Sequence, residues 1–202
     1  MSLPRAFYDR PTLEVARDLI GKLLVHVTKA GRASGVIVEV EAYIGENDPA
    51  CHASAGPTRR NAPLYGPPGR AYVYFNYGMH YLVNAVTEAS GRPAAVLIRA
   101  LDPREGVDLM RRRRARTSGR SADAFGTHEL CRGPGNLTRA LAIGRRQNRV
   151  SLSGGRLHIE DVGLDPGPVA WSPRIGIRVG TERLWRVFVK GHPAVSGPRD
   201  RR

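Results

Sequence analysis

Residues 35–44 constrain the fold more than any other segment, because apolar and polar side chains alternate along them with a period of two. One face of the predicted strand is apolar and consists of Val36, Val38, Val40 and Ala42. The opposite face consists of Ile37, Glu39, Glu41 and Tyr43. A strand that packs against a core on one side fixes the side chains on its other side. The sequence therefore predicts a sheet that holds two carboxylates and a phenol on one face.

The remaining periodic segments predict a mixed α/β fold of the α+β type. We expect helices at residues 11–20, 102–114 and 136–143, and strands at 22–27, 71–75, 81–87, 94–101, 157–160, 175–179 and 184–189. The helix at 102–114 is predicted because Asp102, Pro103 and Glu105 resemble a helix N-terminus. Short strands joined by turns favour a curved, mainly antiparallel sheet with short helices around it and a protruding β-hairpin, whose tip is residues 76–79.

The domain organisation follows from the lack of any long linker in the sequence. We expect residues 1–202 to form a single domain, with frayed ends at 1–5 and 197–202. Residues 116–127 are small and polar, and we expect them to form a mobile loop. Residues 45–70 form a long connection rich in Pro, Gly and Ala, and such connections inside a compact domain are often functional.

The charge of the chain points to an anionic partner. Lys and Arg number 32 against 18 Asp and Glu, which gives a formal net charge of +14, and most of the cations are arginine. Guanidinium groups bind phosphate through paired donors, so a chain this basic is typical of nucleic-acid-binding proteins. Arginine enrichment imposed by a GC-rich genome is the other explanation of this composition.

Several other classes of protein are disfavoured by the sequence. No run of about 18 apolar residues is present, so we expect no membrane-spanning helix. The first ten residues lack the apolar core of a signal peptide. The two cysteines, Cys51 and Cys131, do not form a CxxC pair and are interpreted as free thiols. These features favour a cytoplasmic protein, associated with the nucleoid if the source is bacterial.

The acidic face of the strand at 35–44 is the first candidate for chemistry. A carboxylate held among basic and apolar groups can accept a proton from water, so Glu41 is a candidate general base. A salt-bridged strand face would explain the same pattern. His52 could join Glu41 and Asp48 as a metal ligand, but no HxxxH or HExxH spacing supports a metal site. Alternatively, His52 is a neutral hydrogen-bonding group in a pocket or an ordinary loop histidine.

A cluster of aromatic residues surrounds the predicted hairpin and consists of Tyr72, Tyr74, Tyr77 and Tyr81. Aromatic rings on an arginine-rich protein can stack on bases, and a side chain at a hairpin tip can enter a duplex as a wedge. The strand propensity of tyrosine explains the same cluster without any ligand. Asn84 and Arg99 lie within apolar strands, where polar groups need partners, so they fit either structural pairing or a site.

Four motifs resemble those of a known protein family. They are VEVEAYIGENDPACHA, GRAYVYFNYGMHYLVNAV, AVLIRALDPREG and ELCRGPGNLTRAL, in this order. The motifs are similar to those of the alkyladenine (3-methyladenine) DNA glycosylases. The similarity extends from AFYDRPTLEVARDLIGKLLV near the N-terminus to LWRVFVKGHPAVS near the C-terminus. The loop at 56–68, His80 and the segment 145–174 depart from the family pattern.

This resemblance implies a monofunctional DNA glycosylase. Such an enzyme flips an alkylated or deaminated purine out of duplex DNA and hydrolyses its N-glycosidic bond, which initiates base excision repair. Glu41, in the EAY motif, matches the general base that activates water. Arg99 matches a residue beside that water, and Ile175 matches a position whose backbone carbonyl helps to hold it. No lysine lies near the motif residues to act as a Schiff-base nucleophile, and no metal or organic cofactor is implied.

The resemblance also implies a base pocket. Tyr43, His52 and Tyr74 match residues that line it, and Asn84 matches a residue that discourages normal guanine through its 2-amino group. An alkylated purine carries positive charge, so stacking between two tyrosine rings would add cation–π attraction.

The remaining matched positions face DNA. Tyr77 matches the wedge that fills the gap left by the flipped nucleotide, and Arg60 and Met79 match positions close to the DNA backbone. The expected partner is damaged double-stranded DNA, bound by a monomer, with no membrane involved. Two alternatives are a non-catalytic basic nucleic-acid-binding module and a metal-dependent nuclease built from Glu39, Glu41, Asp48 and His52.

Overall fold

The structure of the chain is a computed structural model that describes residues 1–76 and 78–197. The predicted wedge, Tyr77, and the predicted frayed tail at 198–202 lie outside the described residues. The described helices are α1 (Arg5–Tyr8), α2 (Thr12–Leu19), α3 (Val107–Ser118) and α4 (Pro134–Leu141). The described strands are β1 (Leu23–Thr28), β2 (Gly31–Ile44), β3 (Ala71–Asn76), β4 (His80–Val86), β5 (Ala94–Glu105), β6 (Leu157–Glu160), β7 (Val169–Ser172) and β8 (Arg186–Val189).

Strand β2 organises a single antiparallel sheet of eight strands. Along one edge β2 pairs with β5, and along the other edge it pairs first with β1 and then with β8. The sheet continues outwards from β5 to β4 and β3, from β1 to β6, and from β8 to β7. The predicted α+β architecture, with a mainly antiparallel sheet, a hairpin and short helices, is confirmed.

The two faces of the sheet have different roles. Side chains at alternate positions of the central strands enter the main hydrophobic core; they include Val40, Ala42, Val73, Val83, Val96 and Ile98. Helix α2 begins after Pro11 and adds Val15, Ala16 and Leu19, which recur at the helical spacing and are fully buried. Each buried aliphatic side chain of this kind contributes about 1.5–3 kcal/mol relative to an exposed one. The core therefore fixes the strands whose opposite face displays the polar residues.

The long connection at 45–70 covers that opposite face. It contains two short 3₁₀ turns, His52–Ala55 and Ala62–Tyr65. A second hydrophobic cluster lies beneath it and consists of Cys51, Ala53, Leu64, Tyr72, Val86 and Ala95. Tyr43 and Tyr74 pack against this cluster while remaining partly buried. The connection is therefore a packed wall above the sheet.

Two predictions about secondary structure are wrong, and one strand was not predicted. The helix predicted from Asp102 begins only at Val107, because β5 continues through Pro103, which pairs with Gly35 at an irregularity of the β2–β5 register. Gly106 makes the turn from strand to helix with a φ of +70°. Residues 175–179, which were predicted to be a strand, form irregular backbone in the structure. Gly176 within this segment and Gly180 just after it have positive φ values, which an extended strand does not allow. Conversely, the short strand β7 was not predicted.

The ends of two segments also differ from expectation. Residues 1–5 do not fray, because Ser2 pairs with Glu160, the backbone N–H of Leu3 donates to Ile159, and α1 begins at Arg5. Helix α3 occupies the start of the segment 116–127, which was expected to be a mobile loop. The same segment buries Phe125 beneath the guanidinium of Arg120. Within the described ranges, no helix combines the length and apolar character needed to cross a membrane.

Candidate active site

The period of two along neighbouring strands brings the predicted site residues to one face of the sheet. Glu41 and Tyr43 come from β2, Tyr74 from β3, Asn84 from β4 and Arg99 from β5. The residues between them along each strand face the main core. The side chain of Glu41 is fully buried, so the environment of its carboxylate is set by protein groups.

Three groups donate hydrogen bonds to the Glu41 carboxylate. The Tyr43 hydroxyl donates to Oε2 at 2.9 Å, and Arg99 Nη1 donates to the same oxygen at 3.1 Å. The backbone N–H of Ile175 donates to Oε1 at 2.6 Å. A carboxylate offers about four lone-pair directions, so three donors orient it and leave capacity for one more. The family resemblance implied a role for the backbone carbonyl of Ile175, which stays a prediction. The structure shows in addition that the backbone N–H of Ile175 donates to Glu41.

Arg99 connects Glu41 to a second buried carboxylate. Its Nε donates to Glu39 Oε1 at 3.0 Å, while the register between β2 and β5 skips Arg99, which marks an irregularity there. Burial alone would lower the pKa of Arg99, but the charges of Glu41 and Glu39 outweigh burial and raise it. The guanidinium therefore remains charged between the two carboxylates.

Glu39 has its own set of donors. Arg186 Nε donates to Oε1 at 2.7 Å, and the backbone N–H of Ser196 donates to Oε2 at 2.7 Å. The Ser196 hydroxyl also lies 3.0 Å from Oε1 of Glu39. Two carboxylates and two guanidiniums therefore balance each other's charge within the protein. This arrangement accounts for the second acidic residue of the strand as a structural partner of Arg99.

A cavity of about 230 Å³ opens beside this network. Its walls include Tyr43, His52, Tyr74, Asn84, Arg99 and Ile175, together with Tyr72 and apolar side chains. Pockets for drug-sized ligands are typically larger, roughly 300–1,000 Å³, so this cavity suits one small ring system. Glu41 lies directly behind the wall, bonded to three residues that form it.

The aromatic wall is held by contacts among its own members. The His52 ring meets the Tyr74 ring with 4.4 Å between their centroids, and His52 Nδ1 lies 2.9 Å from the Tyr72 hydroxyl. Burial, with a smaller effect from Arg60, lowers the pKa of His52, so its imidazole is neutral at pH 7. Asn84 donates its amide to the carbonyl of Tyr72 at 2.9 Å. The wall therefore presents neutral polar groups and ring faces.

A buried ion pair supports Tyr43 from behind. Arg174 donates to both oxygens of Asp48, at 2.6 and 2.8 Å, and both side chains are completely buried. The Arg174 guanidinium also lies 4.7 Å from the centre of the Tyr43 ring. Burial, followed by the charge of Glu41, raises the pKa of Tyr43 far above its ordinary value, so the phenol keeps its proton.

The donors around Asp48 also bear on the metal-dependent nuclease. Asp48 is occupied by Arg174, His52 contacts Tyr72, and Glu41 is bound by three donors. Among residues 1–76 and 78–197, no group of three or more His, Cys, Asp or Glu side chains is arranged to hold a metal ion. The positions of these side chains therefore give that alternative no ligand set.

Comparison with known proteins identifies the family of the chain. The family model described as methylpurine-DNA glycosylase matches residues 6–193, which is most of the chain. The chain belongs to the methylpurine-DNA glycosylase family. Members of this family are DNA glycosylases, hydrolases of N-glycosyl bonds that bind DNA and act in its repair.

Relatives of this chain match it over nearly its whole length. A protein of Methanocella arvoryzae, named "Putative 3-methyladenine DNA glycosylase", is 50% identical over 96% of this chain and 95% of its own length. Proteins of the same name from Burkholderia lata and Chlorobaculum tepidum are 48% and 45% identical. These matches cover 99% and 94% of this chain, and 93% and 88% of the respective relatives.

The predicted DNA-facing residues of the glycosylase lie around the tip of the β3–β4 hairpin. Arg60 is exposed, donates to the carbonyl of Phe75 at 3.2 Å, and lies with its guanidinium 5.8 Å from the Tyr74 ring centre. The side chain of Met79 is 62% exposed. Both residues can therefore meet a duplex laid across the hairpin.

The prediction from sequence did not find several supporting residues. Arg186 and Ser196, which bind Glu39, and Arg174, which binds Asp48, are far from these carboxylates in the chain. Arginines are so numerous here that their positions alone carry little information. The sequence did contain one indication of these arginines. An acidic residue predicted to be buried within a strand requires a charged partner somewhere in the fold.

Proposed function

We propose that the protein is a monofunctional DNA glycosylase that acts as a monomer on damaged duplex DNA. It flips an alkylated or deaminated purine, of the 3-methyladenine, 7-methylguanine or hypoxanthine type, into the cavity and hydrolyses the N-glycosidic bond. The observation that carries this proposal is the Glu41 carboxylate, which is fully buried, held by three donors and adjacent to an aromatic cavity.

The cavity suits a flat, positively charged base. Tyr43 and Tyr74 provide rings on its wall, and an alkylated purine between them would gain cation–π attraction in addition to stacking. Both phenols stay neutral because burial raises the pKa of each. The positive charge of such a base also makes it a good leaving group, whereas a neutral lesion must be protonated before it leaves.

Glu41 would act as the general base. A water molecule would transfer a proton to the free lone pair of the carboxylate while its oxygen bonds to the sugar C1′. The glycosidic bond would break with its electron pair passing to the base. The negative charge of Glu41 would also stabilise the positive charge that develops on the sugar. Arg99 and the Ile175 amide would hold the carboxylate in the orientation that this step requires.

A monofunctional mechanism fits the distribution of amines. The chain contains three lysines, Lys22, Lys29 and Lys190, and none of them lines the cavity. The N-terminal ammonium group donates to the carbonyl of Asp161. A β-lyase step requires an amine that can form a Schiff base with the sugar, so we expect hydrolysis to end at an abasic site. A non-catalytic binding module would have no use for the buried Glu41 network.

The proposal is tested with a panel of duplexes that each carry one lesion. We expect abasic sites at 3-methyladenine, 7-methylguanine or hypoxanthine, with equal rates in the presence and absence of EDTA, because no metal takes part in the step. Strand breakage after alkaline treatment measures the abasic sites, and the same duplex with an undamaged purine is the control. The proposal is wrong if no lesion yields an abasic site, and the metal-free mechanism is wrong if EDTA stops the reaction.

Replacing Tyr77 by alanine should weaken both binding and excision in duplex DNA, because the ring would no longer occupy the space of the flipped nucleotide. Base stacking on an aromatic side chain contributes about 1–3 kcal/mol, so we expect a loss of about tenfold or more in affinity. Tyr77→Phe keeps the ring and should retain most of the affinity. Fluorescence anisotropy with a lesion-containing duplex measures the effect, and unchanged affinity of Tyr77→Ala would remove Tyr77 from this role.

A further inference from the structure

A second concavity lies on the other face of the hairpin from the lesion cavity. Leu82 and Asn84 of β4 line the lesion cavity, whereas Tyr81, which points to the opposite face, lines the second concavity. The second concavity has a volume of about 930 Å³ and is more open. Its other walls come from the end of β1, the turns at 142–147 and 150–155, and the start of β6.

The lining of this second concavity is strongly basic. It includes four exposed cationic side chains, Lys29, Arg145, Arg146 and Arg156, and its lining contains no Asp or Glu. We call this surface the basic groove. His26, on its floor, is buried, and burial lowers the pKa of its imidazole, so it adds no charge at pH 7. The groove therefore carries four positive charges around a surface otherwise formed by apolar and neutral polar groups.

The cations of the basic groove lack the carboxylate partners that some other arginines of the protein have. Arg32 binds Glu105 and Glu160, Arg10 binds Asp18, and Arg111 binds Asp108. By contrast, none of the four groove cations forms an ion pair with any carboxylate in the described part of the chain. Like charges placed together without counter-charges repel one another, and a bound polyanion would relieve that repulsion.

The basic groove is also continuous with the hairpin tip. Arg139 of α4 donates to the carbonyl of Met79, and Gly144, just beyond α4, lies against the Tyr81 ring. The rings of Phe75 and Tyr81 are 4.9 Å apart, and Phe75 is 48% exposed. The exposed ring of Phe75 and the partly exposed side chains of Tyr81 and Arg139 therefore lead from the tip of the hairpin into the groove.

We propose that the basic groove binds the sugar–phosphate backbone of the duplex that flanks the lesion. This inference rests on the proposed function, because the hairpin must enter the duplex for the groove to meet its flank. Exposed guanidiniums bind phosphate through paired donors and read no base, so the contact is independent of sequence. A hairpin with the lesion cavity on one face and a phosphate-binding groove on the other would hold the duplex on both sides of the flipped base.

Two variants of equal net charge test this inference. Arg145→Gln combined with Arg146→Gln removes two groove cations, whereas Arg5→Gln combined with Arg17→Gln removes two exposed cations on α1 and α2 that line neither concavity. Binding of an undamaged duplex is measured over a range of salt concentrations. Each lost phosphate contact lowers the slope of log K against log salt by about 0.9, so we expect the groove variant to lose up to about 1.8 and the control almost nothing.

Excision separates this inference from the proposed function. In single-turnover excision, we expect the groove variant to need a higher enzyme concentration to reach half its maximal rate, whereas the variant of Arg5 and Arg17 should behave as the unmodified protein does. If the slope of log K against log salt were equal for the two variants, the proposal that the groove binds the DNA backbone would be wrong, whatever the excision result. If the unmodified protein released no base, the proposed function would be wrong. The salt dependence of duplex binding by the two variants would still show whether the groove binds DNA. Weakened binding of single-stranded RNA with unchanged duplex binding would likewise contradict the inference.

Discussion

Replacing Glu41 with glutamine should abolish base release while DNA binding persists. Glutamine has nearly the same shape, but it cannot take a proton from water. Its single oxygen can accept either from Arg99 or from the amide of Ile175, which bind different oxygens of Glu41. A positioned general base contributes about 10²–10⁴-fold to rate, so we expect a loss in this range or greater. Single-turnover excision from a lesion-containing duplex measures the rate, and anisotropy with the same duplex measures binding.

A matched control for this variant lies five residues along the chain. Glu46 is exposed and pairs with the hydroxyl of Tyr65, so Glu46→Gln makes the same chemical change outside the network of Glu41. We expect Glu46→Gln to excise at the rate of the unmodified protein. If Glu41→Gln also excised at that rate, Glu41 would not be the general base, and the non-catalytic reading of the acidic strand face would regain support.

Of the variants proposed for this protein, Asp48→Ala should lower the free energy of unfolding most. The guanidinium of Arg174 would remain completely buried without its direct counter-charge. Burial lowers the pKa of Arg174, and Asp48 makes the largest opposing contribution, ahead of Tyr43 and Glu41. Removing one partner of a buried ion pair costs about 3–5 kcal/mol. Urea unfolding measures the effect as a lower midpoint at an unchanged slope.

Arg183 offers the comparison for the Asp48 variant. It lies 3.7 Å from the same carboxylate but its side chain is partly exposed, so Arg183→Gln should change the free energy of unfolding by less than about 1 kcal/mol. A small effect of Asp48→Ala would show that Arg174 finds water or another acceptor. It would also separate the support of Tyr43 from the stability of the fold.

The central part of the fold was predictable because alternation in single strands carries the necessary information. The pattern at 35–44 placed Glu41 and Tyr43 on one face, and the same period placed Tyr72 and Tyr74 together. Both strands appear in the structure, and Glu41 and Tyr43 share a face as expected. Ile37, which was predicted on that same face, is instead buried in the main core, because the register of β2 is irregular between Ile37 and Glu39. The resemblance to a family then supplied roles for residues that alternation alone left open.

The parts that were not predictable depend on pairing between distant segments. Arg99 reaches Glu41 through the irregular register of β2 and β5, and Arg174 reaches Asp48 across 126 residues of sequence. The motif at Asp102 has the residues of a helix start, but the pairing of β5 with β2 continues past it. Local propensity was overridden there by the ladder of the neighbouring strand.

The three donors that hold Glu41 have a consequence for the timing of activity during synthesis. They belong to the same strand, to a strand 58 residues later and to a loop 134 residues later. A nascent chain that has not yet emerged beyond residue 175 lacks one of the groups that orient the carboxylate. The set of donors around the Glu41 carboxylate is therefore complete only after the segment that carries Ile175 has been synthesised and has packed against β2.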